Sequence, residues 1–233
     1  MRTILIGILL LFYTILTWPL RLYNRTKNKE EREAANYKLL RRLVKMAVKV
    51  AGMDIKLSGK ENIDNEKSYL IIANHKSDLD SLMLIWLFEK PFIFIGKDEL
   101  KKTPIVNIWF KEIGCLFMDR DNIRQSAKII LEASEVLKGG KSVVIFPEGK
   151  RIMEDRLGEF KNGSFKLAIK SGKNILPIAL VNSYKAFEES KRIKPTHVKI
   201  NVGEEIEWKK LNYKNTSEIC EHTTSVINRL YKF

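Results

Sequence analysis

The sequence is poor in residues that build disulfide or metal frameworks. Among its 233 residues there are only two cysteines, Cys115 and Cys220, and three histidines. The cysteines lie far apart and form no CxxC or other metal-ligand spacing, which argues against a disulfide framework or a structural zinc site. A reducing, cytosolic environment fits this cysteine usage best. We therefore expect no bound metal. The length of 233 residues is enough to build a sizeable hydrophobic core without one.

Two common catalytic motifs are also missing. The chain has no G-x-S-x-G, the nucleophile motif of many serine hydrolases. The segment GGKS at 139–142 resembles the end of a nucleotide-binding loop, but Glu135 stands where the first glycine of G-x-x-x-x-G-K-[ST] belongs. A strand pattern follows this segment where a nucleotide-binding loop needs a helix. These absences argue against a serine hydrolase and a P-loop nucleotide-binding protein.

Acidic residues are outnumbered by basic ones. The chain has 28 Asp and Glu against 42 Lys and Arg, a formal net charge of +14. Such a surface attracts polyanions, which could be nucleic acid, anionic lipid headgroups or phosphorylated substrates. A surface that binds nucleic acid should also interleave aromatic with basic side chains, and we find no such pattern. We therefore expect anionic membrane lipids, and no nucleic acid, among the partners.

A long uncharged run lies near the N-terminus. Residues 3–20, TILIGILLLFYTILTWPL, would span roughly 27 Å as one helix, close to the thickness of a bilayer's hydrocarbon core. A cleaved signal peptide is the alternative, but only Arg2 precedes the run and no A-x-A pattern follows it. Trp18 and Tyr23 stand where interfacial aromatics usually occur. We expect a membrane anchor that either crosses the bilayer or enters one leaflet.

A basic segment follows the uncharged run. Residues 21–50 carry ten Lys or Arg and three Glu, so the positive-inside bias places this flank on the cytoplasmic side. Helical periodicity within residues 36–52 predicts an amphipathic helix, which we interpret as lying on anionic lipid. An ordinary surface helix packed on the domain is the alternative. The apolar stripe of this helix consists of Leu40, Leu43, Val44, Ala47 and Val50.

After residue 55, short β-like runs alternate with helical stretches. This pattern predicts an α/β fold, with a mixed, mostly parallel sheet flanked by helices and an N-terminal membrane-binding helical region. We assign residues 1–52 to the membrane anchor and basic amphipathic helix, and residues 53–233 to the α/β domain. Strands are expected at 68–73, 92–96, 115–118, 142–147, 174–180 and 197–203, and helices at 79–89, 122–138 and within 211–233.

One histidine stands at the exit of a predicted buried strand. SYLIIA at 68–73 is followed directly by Asn74 and His75, and Ser77 is expected to cap the next helix. His75 then lies in the turn and Asp80 in the first turn of the helix. The imidazole Nδ1–H can reach the Asp80 carboxylate, which leaves Nε2 free as a general base. Alternatively, Ser77-x-x-Asp80 approximates a capping box, and Asp80 only stabilises the helix N-terminus.

Charged side chains also follow other predicted strands. FPEGKR at 146–151 presents Glu148, Lys150 and Arg151 at a strand exit, where Gly149 permits a tight turn. GCLFMDR at 114–120 ends in Asp-Arg, and LPIAL at 176–180 is a strand that contains a proline. Arginines at strand exits suit bidentate phosphate capture. Taken singly, an exposed arginine is usually a solvated surface charge, and Pro-Glu-Gly is usually only a turn.

Together and in this order, the four stretches resemble the motif blocks of the 1-acylglycerol-3-phosphate acyltransferases of the glycerolipid acyltransferase superfamily. The blocks are Asn-His-x4-Asp at 74–80, a hydrophobic-Asp-Arg at 114–120, Phe-Pro-Glu-Gly-Thr-Arg at 146–151 and a Leu-Pro-hydrophobic strand at 176–180. IGKDEL at 95–100 resembles the family's segment between the first two blocks. The resemblance covers roughly residues 55–205, and Lys150 departs from it by replacing the usual Thr.

The resemblance implies a mechanism and a set of site residues. His75 would be the general base that removes the proton from the sn-2 hydroxyl of lysophosphatidic acid, and Asp80 would fix its tautomer. The acyl donor would be a thioester of acyl-CoA or acyl carrier protein, and no cofactor or metal would be needed. Lys97 would contact the phosphate or the developing oxyanion. The substrate-binding residues implied in this way are Asn74, Lys97, Arg120, Glu148, Gly149 and Arg151.

Several alternatives stay open at this point. The acceptor could be glycerol-3-phosphate or another lysophospholipid, and a His-activated water could cleave the same thioester. A non-catalytic, membrane-anchored lipid-binding module would also fit the net charge. That module does not explain why His, Asp, Glu and Arg recur at successive strand exits. We therefore expect a membrane enzyme of phospholipid biosynthesis, with its catalytic domain on the cytoplasmic face.

Overall fold

Seven strands form one central sheet in the computed structural model, which describes residues 1–213 and 215–232. The strands are β1 (Met53–Ser58), β2 (Leu70–Ala73), β3 (Phe92–Lys97), β4 (Leu116–Met118), β5 (Ser142–Ile145), β6 (Ile175–Val181) and β7 (Thr196–Val202). Their order in the sheet is β1-β7-β6-β2-β5-β3-β4.

All neighbouring strands run parallel except β6 and β7, which are antiparallel. The predicted mixed, mostly parallel sheet is therefore confirmed. Every residue of β2, β5 and β6 is buried, as expected for apolar strands covered by helices on both faces. The parallel arrangement brings the carboxyl ends of β2, β5, β3 and β4 to one edge of the sheet.

Eight α-helices accompany this sheet in the part of the chain that the structure describes, three before β1 and five between or after the strands. They are α1 (Arg2–Leu16), α2 (Trp18–Asn24), α3 (Lys29–Ala51), α4 (Asp80–Leu87), α5 (Pro104–Glu112), α6 (Ile123–Lys138), α7 (Lys166–Ser171) and α8 (Thr216–Lys232). The predicted helices near 79–89, 122–138 and the end of the chain correspond to α4, α6 and α8. The sequence analysis missed α5 and the edge strand β1, whose partly exposed residues give only a weak strand pattern.

The apolar stripe of α3 faces protein. Leu40, Leu43, Val44 and Ala47 are buried against the domain, and only Val50 is exposed. The hydroxyl of Tyr37, on the same helix, donates to the backbone carbonyl of Phe88 at 3.1 Å. The interpretation that this stripe lies on lipid is therefore wrong, and the alternative, a helix packed on the domain, is correct. The membrane-binding role of residues 1–52, and the boundary after residue 52, stay predictions.

The N-terminal apolar run is broken at Thr17. The chain bends there by 46° between α1 and α2, so residues 3–20 do not form the single helix that we expected. Within the described ranges no single helix has the length and hydropathy to cross a bilayer, whereas the bent pair α1–α2 meets both criteria when taken together.

One side of the α1–α2 pair packs on the domain. The Tyr13 hydroxyl donates to the Leu39 carbonyl at 3.0 Å, and the Trp109 indole donates to Thr14 Oγ1 at 2.9 Å. The opposite side leaves large apolar side chains in solvent. These are Ile4, Leu5, Ile8, Leu11, Phe12, Ile15, Leu16, Trp18, Leu20, Leu22 and Tyr23.

Candidate active site

The carboxyl end of β2 carries a His–Asp pair. His75 lies in the turn after the strand, and Asp80 is the first residue of α4. The imidazole Nδ1 is 2.9 Å from Asp80 Oδ2. The expected placement of both residues is confirmed. Because an ionised carboxylate can only accept, this contact places the proton of a neutral imidazole on Nδ1 and leaves Nε2 as the basic nitrogen.

Asp80 also organises the turn that carries the histidine. Its side chain is fully buried, and Oδ2 accepts backbone N–H groups from Lys76 at 2.6 Å and Ser77 at 2.8 Å. Ser77 therefore lies inside this turn. The expectation that it caps α4 is wrong, because Leu79 immediately precedes the helix. Both interpretations of Asp80 hold together, since one carboxylate orients the imidazole and accepts two backbone donors near the helix start.

The histidine is held on its other sides as well. Its ring stacks on Phe146, with centroids 4.2 Å apart and an interplanar angle of 14°. Its backbone N–H donates to Glu148 Oε2 at 3.0 Å, and its carbonyl accepts the N–H of Ile152 at 2.9 Å. The imidazole orientation is thus set by one ring contact, one carboxylate and a backbone bonded in both directions. The His75 side chain is 18% exposed, so the ring remains accessible.

Glu148 ties two segments together from a buried position. One carboxylate oxygen accepts the N–H of His75, and the other accepts the N–H of Gly158 at 3.0 Å. Burial raises the pKa of Glu148 above its usual 4.5, whereas the two N–H donors and the charge of Lys76 oppose this shift. Both oxygens are therefore engaged in holding the backbone. The contact of Glu148 with substrate stays a prediction.

Asn74 has a similar structural task. Its side chain is fully buried, and its amide forms two hydrogen bonds with one residue of β6. Nδ2 donates to the Leu180 carbonyl at 2.9 Å, and Oδ1 accepts the Leu180 N–H at 2.7 Å. The amide thus replaces one rung of the β-ladder just beyond the end of β2. The contact of Asn74 with substrate stays a prediction.

The 146–151 segment turns sharply at Gly149. This residue has φ +70°, in the left-handed region that glycine tolerates, and its N–H donates to the Phe146 carbonyl at 3.1 Å. The predicted tight turn is confirmed. It brings Arg151 back toward the turn after β2, where the guanidinium pairs with Asp78 and lies 3.6 Å from Glu188 Oε1. Arg151 is 39% exposed and so is accessible to an anionic group.

Lys97 is the last residue of β3, and Arg120 follows β4 at the same edge of the sheet. Lys97 is about half exposed, and its ammonium is 2.5 Å from Glu99 Oε1. Much of Arg120 is accessible, yet neighbouring protein displaces enough water to lower its pKa, an effect that Glu99 opposes. The two cations therefore share one acidic neighbour. They form a second group, separate from the hydrogen-bonded network around His75.

The structure adds residues that the sequence analysis did not assign. Phe146 was quoted within a motif but given no role, and Lys76 was treated as a variable position between His75 and Asp80. Glu188 accepts the N–H of Asp78 at 2.7 Å and lies near Arg151, although 110 residues separate it from Asp78. No local pattern marks Glu188, because its position depends on how the chain folds back after β6.

Candidate metal ligands do not converge in the part of the chain that the structure describes. No group of three or more His, Cys, Asp or Glu side chains is placed to hold a metal ion among these residues. Cys115 and Cys220 are both buried, and burial raises the pKa of each thiol, that of Cys115 to about 12. Neither thiol is therefore a ready thiolate ligand or nucleophile near neutral pH.

Comparison with known proteins agrees with this geometry. A family model described as Acyltransferase matches residues 54–181. A probable 1-acyl-sn-glycerol-3-phosphate acyltransferase of Mycoplasma pneumoniae is 35% identical over 176 residues, which are 73% of this chain and 65% of the relative. A probable 1-acyl-sn-glycerol-3-phosphate acyltransferase of Mycoplasma genitalium is 33% identical over 208 residues, which are 84% of this chain and 77% of the relative.

A third relative and a solved structure extend the comparison. The 1-acyl-sn-glycerol-3-phosphate acyltransferase of Borreliella burgdorferi is 36% identical over 149 residues, which are 64% of this chain and 60% of the relative. The chain thus spans less than two thirds of the length of the Mycoplasma pneumoniae and Borreliella burgdorferi relatives. The crystal structure of the 1-acyl-sn-glycerophosphate acyltransferase from Thermotoga maritima superposes with a TM-score of 0.82 at 24% identity, covering 100% of this chain and 97% of that one. That likeness establishes the fold, and the sequence matches show that the chain belongs to the acyltransferase family that includes the 1-acyl-sn-glycerol-3-phosphate acyltransferases.

Proposed function

We propose that the protein transfers a fatty acyl group from a thioester to the sn-2 hydroxyl of lysophosphatidic acid, giving phosphatidic acid. The His75–Asp80 pair at the carboxyl end of β2 carries this proposal. It supplies an oriented general base. Among the residues that the structure describes, no serine, threonine or cysteine side chain is hydrogen-bonded to the His75 imidazole, which suits direct attack by a hydroxyl of the acceptor. The names of the relatives supply the acceptor, since each is called a 1-acyl-sn-glycerol-3-phosphate acyltransferase.

The chemical steps follow from the orientation of the imidazole. Nε2 of His75 takes the proton of the acceptor hydroxyl as its oxygen attacks the thioester carbonyl. The Asp80 carboxylate stabilises the imidazolium that forms. When the tetrahedral intermediate collapses, the carbon–sulfur bond breaks and the thiolate takes the proton from Nε2. The histidine returns to its starting state, and the new ester bond remains on the acceptor.

Three cations are the proposed contacts for the acceptor phosphate. Arg151 is the cation most directly linked to His75, because the N–H of the next residue, Ile152, donates to the His75 carbonyl. A phosphate would compete with Asp78 for its guanidinium, and bidentate geometry favours phosphate binding there. Arg120 and Lys97 would add positive charge from β4 and β3. Gly149 supports this arrangement through its turn, while Asn74 and Glu148 support it from beneath.

The donor is proposed to be acyl-CoA or the thioester of acyl carrier protein, and both supply the same reacting carbonyl. No cofactor or metal enters any of these steps. The proposal therefore needs only the donor, the acceptor and the side chains of the pair. Glycerol-3-phosphate or another lysophospholipid as acceptor would use the same base and the same thioester.

The location proposed for the enzyme is a membrane, with the catalytic domain on the cytoplasmic face. Support comes from the contiguous apolar side of α1 and α2, because exposed patches of this kind mark interaction surfaces. The acceptor and the product are anionic lipids, and a net charge of +14 would raise their concentration near the protein. The basic segment 21–50 supports the cytoplasmic orientation.

The proposal is tested with purified, detergent-solubilised protein, lysophosphatidic acid and each of the two donors. Released thiol and phosphatidic acid are measured together for the wild type, His75→Ala and His197→Ala. His197 is the matched control, since its Nδ1 is 2.8 Å from Asp54 Oδ2 in an exposed His–Asp pair far along the chain. We expect equal amounts of thiol and phosphatidic acid, a loss of at least roughly 10²-fold in His75→Ala, and no loss in His197→Ala.

Other outcomes would redirect the assignment. Thiol release without a lipid product would indicate a thioesterase or a different acceptor, and the assay would then be repeated with glycerol-3-phosphate and other lysophospholipids. No turnover with any donor and acceptor, in protein shown to be folded, would favour the non-catalytic lipid-binding module. Equal activity in His75→Ala and the wild type would refute the role of the histidine.

A further inference from the structure

Lys76 is a charged residue with no exposed surface. It directly follows His75, and its relative exposure is 0%. Lysine is almost never fully buried unless its ammonium has partners, because removing the charge from water is costly. Burial lowers the pKa of Lys76, and the charges of Glu148, Asp155 and Asp80 oppose that shift. Such an unfavourable position indicates that the contacts of the ammonium have a specific task.

Those contacts lead to one loop, formed by residues 152–158. The Lys76 ammonium donates to the backbone carbonyls of Glu154 and Arg156. These carbonyls belong to the segment that follows the 146–151 motif and connects it to α7. A single buried cation thus replaces water as the donor for two loop carbonyls. The backbone N–H of the same lysine donates to Asp80, so Lys76 links the loop to the turn that carries the His–Asp pair.

The same loop is held at three other points. Ile152 donates its N–H to the His75 carbonyl at 2.9 Å, and Gly158 donates to Glu148 at 3.0 Å. Between them, Asp155 accepts the Tyr231 hydroxyl at 2.8 Å. The loop is therefore fastened to the histidine at its start, to Glu148 at its end and to α8 in the middle. Lys76 lies among these attachments.

Tyr231 completes the environment of the ammonium. The Lys76 Nζ lies 4.8 Å from the centroid of the Tyr231 ring, within the range of a cation–π contact. The end of α8 is fixed in turn, because the Asn201 amide on β7 donates to the Leu230 carbonyl at 2.7 Å. The ring and the two carbonyls together replace the hydration of a buried cation. This connects α8 to the turn after β2 through one side chain.

We propose that Lys76 is a positioning residue which, with Tyr231, holds the 152–158 loop against the catalytic turn and so fixes the orientation of His75. This inference rests on the proposed function for its effect on turnover, but its structural part stands independently. Without the ammonium, the two loop carbonyls lose their donor, and the loop separates from the turn. The bond from Ile152 to His75 then loosens, and the base is no longer held in line with the acceptor hydroxyl.

The test uses the full chain with four substitutions. Lys76→Met keeps the length of the side chain but removes the charge, and Lys76→Arg restores a cation able to donate to two carbonyls. Tyr231→Leu removes the ring and its hydroxyl. Lys90→Met is the matched control, because Lys90 also donates to two backbone carbonyls, those of Glu66 and Lys67 at 3.3 Å each, away from the His75 network.

Two measurements separate positioning from a general loss of stability. Steady-state kinetics with lysophosphatidic acid should show kcat roughly 10- to 100-fold lower in Lys76→Met, a KM for this acceptor within about threefold of the wild type, and partial recovery in Lys76→Arg. Hydrogen exchange should become at least about fivefold faster in the amides of residues 152–158, with no comparable change in β2 or β5. Lys90→Met should match the wild type in both measurements.

The outcomes distinguish this inference from the proposed function. A wild-type kcat and unchanged loop exchange in Lys76→Met would overturn it. If wild-type protein does not acylate lysophosphatidic acid, the proposed function fails, while the exchange measurement still tests the attachment of the loop. If Lys76→Met does not fold, Tyr231→Leu decides: faster exchange in 152–158 supports the inference, and unchanged exchange refutes it.

Discussion

Two His–Asp pairs in this protein have nearly the same geometry. His75 Nδ1 lies 2.9 Å from Asp80 Oδ2, and His197 Nδ1 lies 2.8 Å from Asp54 Oδ2. Their surroundings differ completely. The first two side chains are 18% and 0% exposed, whereas the second two are 92% and 74% exposed. Distance alone therefore does not distinguish a catalytic base from a surface ion pair.

The difference lies in what holds each pair. Water screens the exposed pair, and both of its side chains are free to change rotamer, so the contact has little energetic weight. Asp80 accepts two backbone N–H groups in addition to the imidazole, and His75 is stacked on Phe146 and bonded through its backbone. Preorganisation of this kind converts a common contact into an oriented base.

The sharpest way to separate the two pairs is to neutralise each carboxylate. Asp80→Asn removes the negative charge that would stabilise an imidazolium on His75. Its NH2 group must also take the place of Oδ2, which accepts three donors, or of Oδ1, which is buried without a partner. We expect kcat with lysophosphatidic acid to fall roughly 10³- to 10⁴-fold. Asp54→Asn, the same change in the exposed pair, should leave kcat unaltered. Similar kinetics for the two variants would show that the surroundings of Asp80 are irrelevant.

The second prediction concerns the carboxylate beneath the histidine. In Glu148→Gln only one oxygen remains for the two N–H donors of His75 and Gly158, so one donor faces an amide NH2 group. We expect kcat to fall by about 10²-fold, because the backbone of His75 shifts. Unfolding measurements should show whether a loss of stability accompanies the change. A wild-type kcat in Glu148→Gln would mean that the backbone bond to His75 does not position the base.

Stability measured against pH sharpens this result. Since burial raises the pKa of Glu148 above 4.5, the folded state holds its proton more tightly than the unfolded state does. Its contribution to the free energy of unfolding is therefore fully present below pH 4.5 and is lost as pH rises through the raised pKa. Gln does not titrate, so the stability of the wild type relative to Glu148→Gln should decline over this window. A constant difference would show that the carboxyl is not buried as described.

The third prediction concerns the cations that are proposed to bind the acceptor phosphate near the His75–Asp80 pair. Arg151→Ala removes a proposed phosphate contact but leaves the His75 network in place. A charge-assisted contact contributes about 1.5–3 kcal/mol, so KM for lysophosphatidic acid should rise roughly tenfold or more while kcat changes little. Lys101→Ala, at an exposed lysine paired with Asp98, is the control. A fall in kcat without a rise in KM would place Arg151 in the chemical step instead.

The smallest expected effect comes from the ring beneath the imidazole. Phe146→Leu keeps an apolar side chain but removes the stacked face at 4.2 Å from the His75 ring. Aromatic contacts are worth about 0.5–1.5 kcal/mol beyond burial, so kcat should fall about threefold to tenfold. Phe88→Leu, which removes an aromatic contact with Phe92 away from the His75 network, is a matched control and should retain the wild-type kcat. An unchanged kcat in Phe146→Leu would assign the whole orientation of the ring to Asp80 and the backbone.

Sequence patterns predicted the parts of the site that depend on neighbours along the chain. Each of these parts depends on residues that lie within about six positions of one another. They are the strand before Asn74, the turn at Gly149 and the contact between His75 and Asp80. Strand exits were also predictable, because a parallel sheet gathers its carboxyl ends at one edge. The order of the motif blocks then identified the family, which the sequence matches confirm.

Patterns failed where the partner is distant or chemically ambiguous. The amide of Asn74 bonds Leu180, 106 residues away, and a buried amide looks the same in sequence as one that contacts substrate. The carboxylate of Glu148 likewise accepts the backbone N–H of His75, 73 residues away. The stripe on α3 has the periodicity of a lipid-facing helix and of a packed helix alike, since both need one apolar face. Only the tertiary fold shows that protein covers it.

The position of β1 has a consequence for how the chain folds. β1 pairs only with β7, and Met53 lies opposite Thr196, about 140 residues later in the chain. During synthesis, β1 must therefore wait for β7 to emerge, while β2 and β3 can already pair with β5. Closing so large a chain loop has a high entropic cost and slows the final step of folding. The edge strand thus joins late, and the nascent chain carries an unpaired β-segment next to the basic helix α3 until it does.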